Sequence, residues 1–211
     1  MSLFRAVAWD IDGTLIDSEP LHEHALAAAS AALGADLNDL EPDAFRGVHA
    51  IDIWKALKPR FPTGSSFKTW IAAIEAYYVA HAGELEPSPG AIQAMWELAE
   101  RGIAQACVSN SGRTIVDANI EALGIGKTIA FSLSLDDVWS GKPDPEPYRE
   151  AARRFALPAP EVVAVEDSGA GARSARAAGL YVVGYSPSGE LFVGSDRSIM
   201  KLMDVVALFD A

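Results

Sequence analysis

The 211-residue sequence has a single cysteine, Cys107, so no internal disulfide can form. That suits a reducing compartment, and a cytoplasmic location is expected. There is no apolar run long enough to span a bilayer. The alanine-rich stretch from Ala25 to Leu33 is too short and is flanked by polar residues. No basic segment leads into an apolar signal core at the N-terminus. Positive charge is scarce: 17 Lys and Arg against 29 Asp and Glu give a net charge of −12. This excess argues against nucleic-acid partners and against anionic membrane surfaces. It also means that an anionic ligand needs local cations. Internal repeats and low-complexity segments are absent. What is present is a chain that is 50% hydrophobic. That is enough for one large domain, or for a core with a smaller insertion. Nothing in the sequence reads an oligomeric state, and a monomer is the default expectation.

The chain is organised around Ala6-Val7-Ala8-Trp9-Asp10-Ile11-Asp12-Gly13-Thr14. The apolar run from about Phe4 predicts a short buried strand. It ends in two carboxylates one residue apart, followed by a glycine that permits a sharp turn. Both acids can crowd one point at the strand's carboxyl end, where open α/β sheets place their ligands. Two acids that close repel unless a proton or a cation relieves them. Mg²⁺, a hard divalent cation, is the expected relief. The competing reading is an acidic turn after an edge strand.

From Asp17 to about Glu86 the pattern shows helices joined by loops, such as Arg60 to Ser66, and no convincing strand. Ser18 is a candidate cap, and helices are expected from Glu19 to Leu33, Ala50 to Leu57 and Phe67 to His81. Leu85 to Gly90 reads as a linker, with Ser88 capping the next helix and Pro89 opening it. From there strands and helices alternate. Strands are expected over 103–109, 128–133, 161–165 and 180–185, and helices over 111–123, 144–155 and 168–179. Residues 198–209 add a short strand and a closing helix. This rhythm predicts a parallel sheet with helices on both faces. The helical block between the first strand and the rest is a candidate lid.

Four strand ends carry polar groups. They are Asp10 and Asp12; Ser109-Asn110-Ser111-Gly112; the loop Gly141-Lys142-Pro143-Asp144-Pro145; and Glu166-Asp167-Ser168-Gly169. In a parallel sheet all four lie on one rim. Taken singly, each has a plain structural reading: Ser109 a turn residue, Lys142 a solvated charge, Glu166 and Asp167 capping acids. Their recurrence at successive strand ends argues for one site.

These four segments resemble the motifs of the haloacid dehalogenase superfamily, and more narrowly its phosphoglycolate phosphatase and β-phosphoglucomutase-like branch. The resemblance spans essentially the whole chain. It implies an α/β fold: a Rossmann-like parallel-sheet core, residues 1–16 and 87–211, with a small all-helical cap domain inserted at 17–86. It implies an aspartyl-phosphate formed on Asp10 and general acid/base work by Asp12. Mg²⁺ would be held by Asp10, the Asp12 carbonyl, Asp167 and Glu166. Ser109, the Asn110 backbone amide and Lys142 would bind phosphate. An acid at Asp12, with Glu166-Asp167 for a metal, points to phosphate esters rather than to carbon–halogen bonds.

The expected function is therefore a Mg²⁺-dependent phosphatase for a small phosphorylated metabolite, a sugar or organic-acid phosphate. The alternatives are a hexose-phosphate mutase and a non-catalytic binding protein on the same fold. Mutase relatives use a cap arginine. Aligned on Gly47-Val48, that position here holds Ala50, which favours hydrolysis. Cap candidates for substrate contact are Glu19, His22, Arg46, His49 and Lys55. Trp54 and Trp70 are expected in the cap's own core, and Cys107 as an inert buried hydrophobe.

Overall fold

The computed structural model describes residues 3–41, 44–45, 48–189 and 194–210. Its chain divides into two compact units: Met1–Asp17 with Glu86–Ala211, and Ser18–Leu85.

The smaller unit is helical. α1 (Glu19–Ala32) packs on α3 (Phe67–His81), and α2 (Ala50–Leu57) also contacts α3. Leu21, Ala25 and Ala29 recur at helical spacing and form the buried side of α1. Trp70 is fully buried and its indole N–H donates to Ser30 Oγ at 3.0 Å, which joins α3 to α1. Trp54 lies against it with ring centroids 5.5 Å apart, and Phe61 lies 4.9 Å from Trp54. Both tryptophans are therefore core residues of this unit. Ser66 caps α3 by accepting from Thr69 N–H. Ser18 does not cap α1 in the expected way. Its backbone is already helical, and its side chain makes no capping hydrogen bond to the helix's first amides.

The larger unit is a six-stranded sheet. Its strands are β1 (Ala6–Trp9), β2 (Ala104–Val108), β3 (Phe131–Leu133), β4 (Val162–Glu166), β5 (Tyr181–Tyr185) and β6 (Arg197–Ile199). The order is β3-β2-β1-β4-β5-β6, and every pairing is parallel. Helices α4 (Ala91–Glu100), α5 (Arg113–Leu123), α6 (Glu146–Phe155) and α7 (Gly169–Ala178) make the crossovers. Ala6 and Ala8 share a face with Val162, Ala164 and Val182. Tyr148, Ala151, Ala172 and Ala175 of α6 and α7 cover that face. On the other face Trp9 donates to Gln105 Oε1 at 3.0 Å. The same amide donates to the Met95 carbonyl of α4 at 2.8 Å. A buried glutamine is thereby satisfied inside an apolar layer.

Some boundaries moved. Ser88 and Pro89 precede α4 rather than open it. Gly90 stands at the cap with φ of +83°, and Ala91 N–H bonds the Ser88 carbonyl. β3 is shorter than the apolar pattern suggests, because Thr128 closes a turn by donating to the Ile125 carbonyl. The closing helix, Leu202–Phe209, is 3₁₀.

β1 is the strand where the winding reverses: the chain builds outward to β3 on one side and to β6 on the other. A crevice opens at the carboxyl end of such a strand.

Candidate active site

Asp10 follows β1 directly and continues its pairing, its N–H donating to the Val165 carbonyl at 3.0 Å. The chain then turns tightly. Leu15 N–H bonds the Ile11 carbonyl, and Gly13 N–H bonds the Ile16 carbonyl, each at 2.9 Å. Gly13 adopts φ of +83°. A Cβ there would stand 2.2 Å from Asp167 Oδ2, so both backbone and space require glycine. Thr14 Oγ1 donates to Asp167 Oδ1 at 3.2 Å. The turn after β1 and the acid after β4 are thus built against each other.

Lys142 reaches the same point from the loop between β3 and α6. It is only 4% exposed. Its ammonium donates to Asp10 Oδ1 at 2.6 Å and to the Val108 carbonyl at 2.8 Å, and pairs with Glu166 Oε1 at 2.6 Å. Those contacts use all three of its protons. Burial by itself would lower the Lys142 pKa. The charges of Asp10 and Glu166 override burial and raise it, so the ammonium is permanent. Asn110 holds this loop through its side chain: Oδ1 accepts from Lys142 N–H at 2.8 Å, and Nδ2 donates to the Lys142 carbonyl at 3.0 Å.

Asp10, Glu166 and Asp167 bring carboxylate oxygens within 4.8 Å of one another. Three acids against one ammonium leave negative charge uncompensated. Burial, and then the charge of Glu166, push Asp10 well above the usual carboxylate range, against the pull of Lys142. The same two causes raise Asp167 to about 6. A compact, all-oxygen, over-negative donor set fits a hard divalent cation such as Mg²⁺.

Asp12 faces other partners. Its Oδ2 accepts from Ser109 Oγ at 2.9 Å and Ser111 Oγ at 3.0 Å, and its Oδ1 from Asn119 Nδ2 at 3.1 Å. Ser109 Oγ also accepts from Ser111 N–H at 2.9 Å, so it serves as acceptor and donor at once.

The structure therefore brings together Asp10, Glu166, Asp167 and Lys142 in one cluster, and Asp12 with Ser109 in an adjoining one. Asn110 contributes a side-chain clamp that the sequence did not suggest. Thr14, Ser111, Asn119 and Tyr148 were also not singled out as site residues. Tyr148, on α6, donates its hydroxyl to Glu166 Oε1. Asn119 and Tyr148 had one readable signal: each is a polar group on the otherwise apolar side of its helix. Arg113, which opens α5, bonds Asp117, Ser132 and Asp137. Cys107 is buried within β2, and its thiol is pushed up to about 12, chiefly by burial.

The cap candidates lie in the helical unit. Glu19 and His22 are on α1, and the His22 ring centroid is 4.7 Å from that of Tyr78. His49 precedes α2. Lys55 bonds Asp52 at 2.7 Å on its exposed side. Arg46 and Gly47 lie outside the described residues.

A family model described as haloacid dehalogenase-like hydrolase matches residues 4–179. The chain belongs to this family. Among curated relatives, the plasmid protein CbbY of Cupriavidus necator (strain ATCC 17699 / DSM 428 / KCTC 22496 / NCIMB 10442 / H16 / Stanier 337) is 31% identical over 195 residues. The match covers 85% of this chain and 77% of that protein. Validoxylamine A 7'-phosphate phosphatase of Streptomyces hygroscopicus subsp. limoneus is 27% identical, covering 96% of each. The crystal structure of CbbY from Rhodobacter sphaeroides in complex with phosphate superposes with a TM-score of 0.87. It is 27% identical and covers 99% of this chain and 100% of that one. A mutant of the same protein, in complex with xylulose-(1,5)bisphosphate, superposes equally well. Within the haloacid dehalogenase-like hydrolases, this chain is a phosphatase. Among the described residues no helix is long and apolar enough to cross a membrane.

Proposed function

We propose that the protein hydrolyses a small sugar or organic-acid phosphate, with Mg²⁺, through an aspartyl-phosphate on Asp10. The observation that carries this reading is the buried Asp10 carboxylate, held by Lys142 beside Glu166 and Asp167 at the end of the central strand. A relative named for validoxylamine A 7'-phosphate, and a structural neighbour in complex with xylulose-(1,5)bisphosphate, support the substrate class.

In the proposed reaction an Asp10 oxygen attacks phosphorus while the bond from phosphorus to the leaving oxygen breaks. Asp12 gives that oxygen a proton. Asp12 then takes a proton from a water whose oxygen attacks phosphorus, and the Asp10–phosphorus bond breaks to release phosphate. Ser109 redirects its hydroxyl from Asp12 to a phosphoryl oxygen, aided by the Asn110 backbone amide. Lys142 acts as a fixed point charge, since its protons are already engaged. Asp10, Glu166 and Asp167, with the Asp12 carbonyl, would hold Mg²⁺. When bound, that ion would offset the repulsion between the carboxylates and the phosphate dianion.

The test is phosphate release from a panel of sugar phosphates, phosphoglycolate, gluconate phosphates, nucleotides and pyrophosphate, with Mg²⁺ and with EDTA. Release from a few related compounds, lost in EDTA and restored by Mg²⁺, is expected. Asp10→Asn should lower it by about three powers of ten or more, with the fold intact. Near-normal turnover by that variant would end the covalent reading. Isomerisation of a hexose phosphate without phosphate release would favour the mutase reading.

A further inference from the structure

Among the described residues Ser109, Ser111 and Asn119 donate to the Asp12 carboxylate, and the three are not equivalent. Ser109 and Ser111 donate rotatable hydroxyls to Oδ2. A hydroxyl turns at little cost, so either can swing to a phosphoryl oxygen when substrate arrives. Asn119 donates to Oδ1 from the second turn of α5, on a helix side whose other buried residues are Ile115, Val116, Ala118 and Leu123. Its side chain is wholly enclosed. A buried amide donor resists losing its acceptor, because water cannot reach it to replace the lost bond. The Asn119 contact therefore persists while those on Oδ2 change.

We infer that Asn119 is a positioning residue for the proton transfers of this site. It fixes Asp12 Oδ1, and so leaves Oδ2 as the oxygen that carries the proton. In the first step the proton on Oδ2 passes to the leaving oxygen as its bond to phosphorus breaks and the Asp10–phosphorus bond forms. In the second step Oδ2 takes a proton from the attacking water as the Asp10–phosphorus bond breaks. This inference rests on the reading of Asp12 as the general acid/base. It adds the residue that aims Asp12 and the oxygen it uses.

The experiment compares phenyl, 4-nitrophenyl and 2,4-dinitrophenyl phosphate as substrates of the full-length protein with saturating Mg²⁺. The three share a shape but differ in how much their leaving oxygen needs a proton. The ratio kcat/KM reports the step that forms the aspartyl-phosphate. For Asn119→Leu, kcat/KM is expected to fall about 10- to 100-fold on phenyl phosphate and several-fold less on the dinitrophenyl ester. The plot of log kcat/KM against leaving-group basicity should steepen toward that of Asp12→Asn. A folded Asn119→Leu that loses all three activities equally would show a merely structural role and overturn the inference. If Asn119→Leu does not fold, Asn119→Ser, which is smaller, takes its place under the same criterion. Asp12→Asn separates the two levels of the argument. Equal loss on all three esters in that variant would remove Asp12 as the acid. A steepened plot for Asp12→Asn with an unchanged slope for Asn119→Leu would remove Asn119 alone.

Discussion

Asp10 sits among more negative charge than positive, and the consequence can be measured without substrate. Asp167 is raised from the ordinary 3.8 to about 6, first by burial and then by Glu166, and Asp10 is raised well above its ordinary value. An acid whose pKa is higher in the folded state binds a proton there that the unfolded chain has already released. Its contribution to stability is complete below about pH 4 and is lost as the pH climbs through 6 and beyond. In EDTA the thermal midpoint should therefore fall between about pH 5 and pH 7.5. Mg²⁺ should raise it more at the upper end of that range, where the carboxylates are ionised and free to bind. A midpoint in EDTA that rises over this interval would contradict the charge balance described for the site.

One element, α7, shows where local preference yields to the site. The first turn of α7 carries glycine at 169 and 171, which costs a helix about 1 kcal/mol each relative to alanine. Gly171 is nonetheless obligatory, since a Cβ there would lie 1.9 Å from Glu166 Oε2. Gly171→Ala should thus destabilise the protein and weaken Mg²⁺ binding, although helix propensity alone predicts a gain. Chemical denaturation and metal titration of this variant check both effects. The elements themselves were largely legible. Pure apolar runs such as Val162 to Val165 announced buried parallel strands, and caps or glycines marked most helix ends. The four motif ends could be placed on one rim because parallel strands share a direction. What could not be read was which side chains cross between elements. Asn119 and Tyr148 lie inside apolar helix faces, and no spacing rule says that one meets Asp12 and the other Glu166. The same holds for Asn110, whose side chain, rather than its backbone amide, makes the clamp seen on the Lys142 loop. β3 was overread because an apolar run continued into a turn that a single threonine closes.

At the scale of the whole chain, the acidic surplus and the buried lysine are complementary facts. A protein with a net charge of −12 keeps one cation, Lys142, beside Asp10 by enclosing it, where surface charge and salt act on it least. The two segments that connect the units carry a further consequence. Asp17 N–H bonds the Glu86 carbonyl at 3.3 Å, and Ser88 N–H bonds the Leu15 carbonyl at 2.9 Å. Between them Ile16 and Pro87 form an antiparallel bridge. The chain leaves the sheet unit and re-enters it through one paired stem, so closing the gap needs little reach. Joining Asp17 to Glu86 through a short Gly-Ser linker should leave 1–17 and 86–211 folding cooperatively, with a single unfolding transition by circular dichroism. To the sheet, everything from Ser18 to Leu85 is topologically one long hairpin loop, a socket from which one insert can be withdrawn and another fitted.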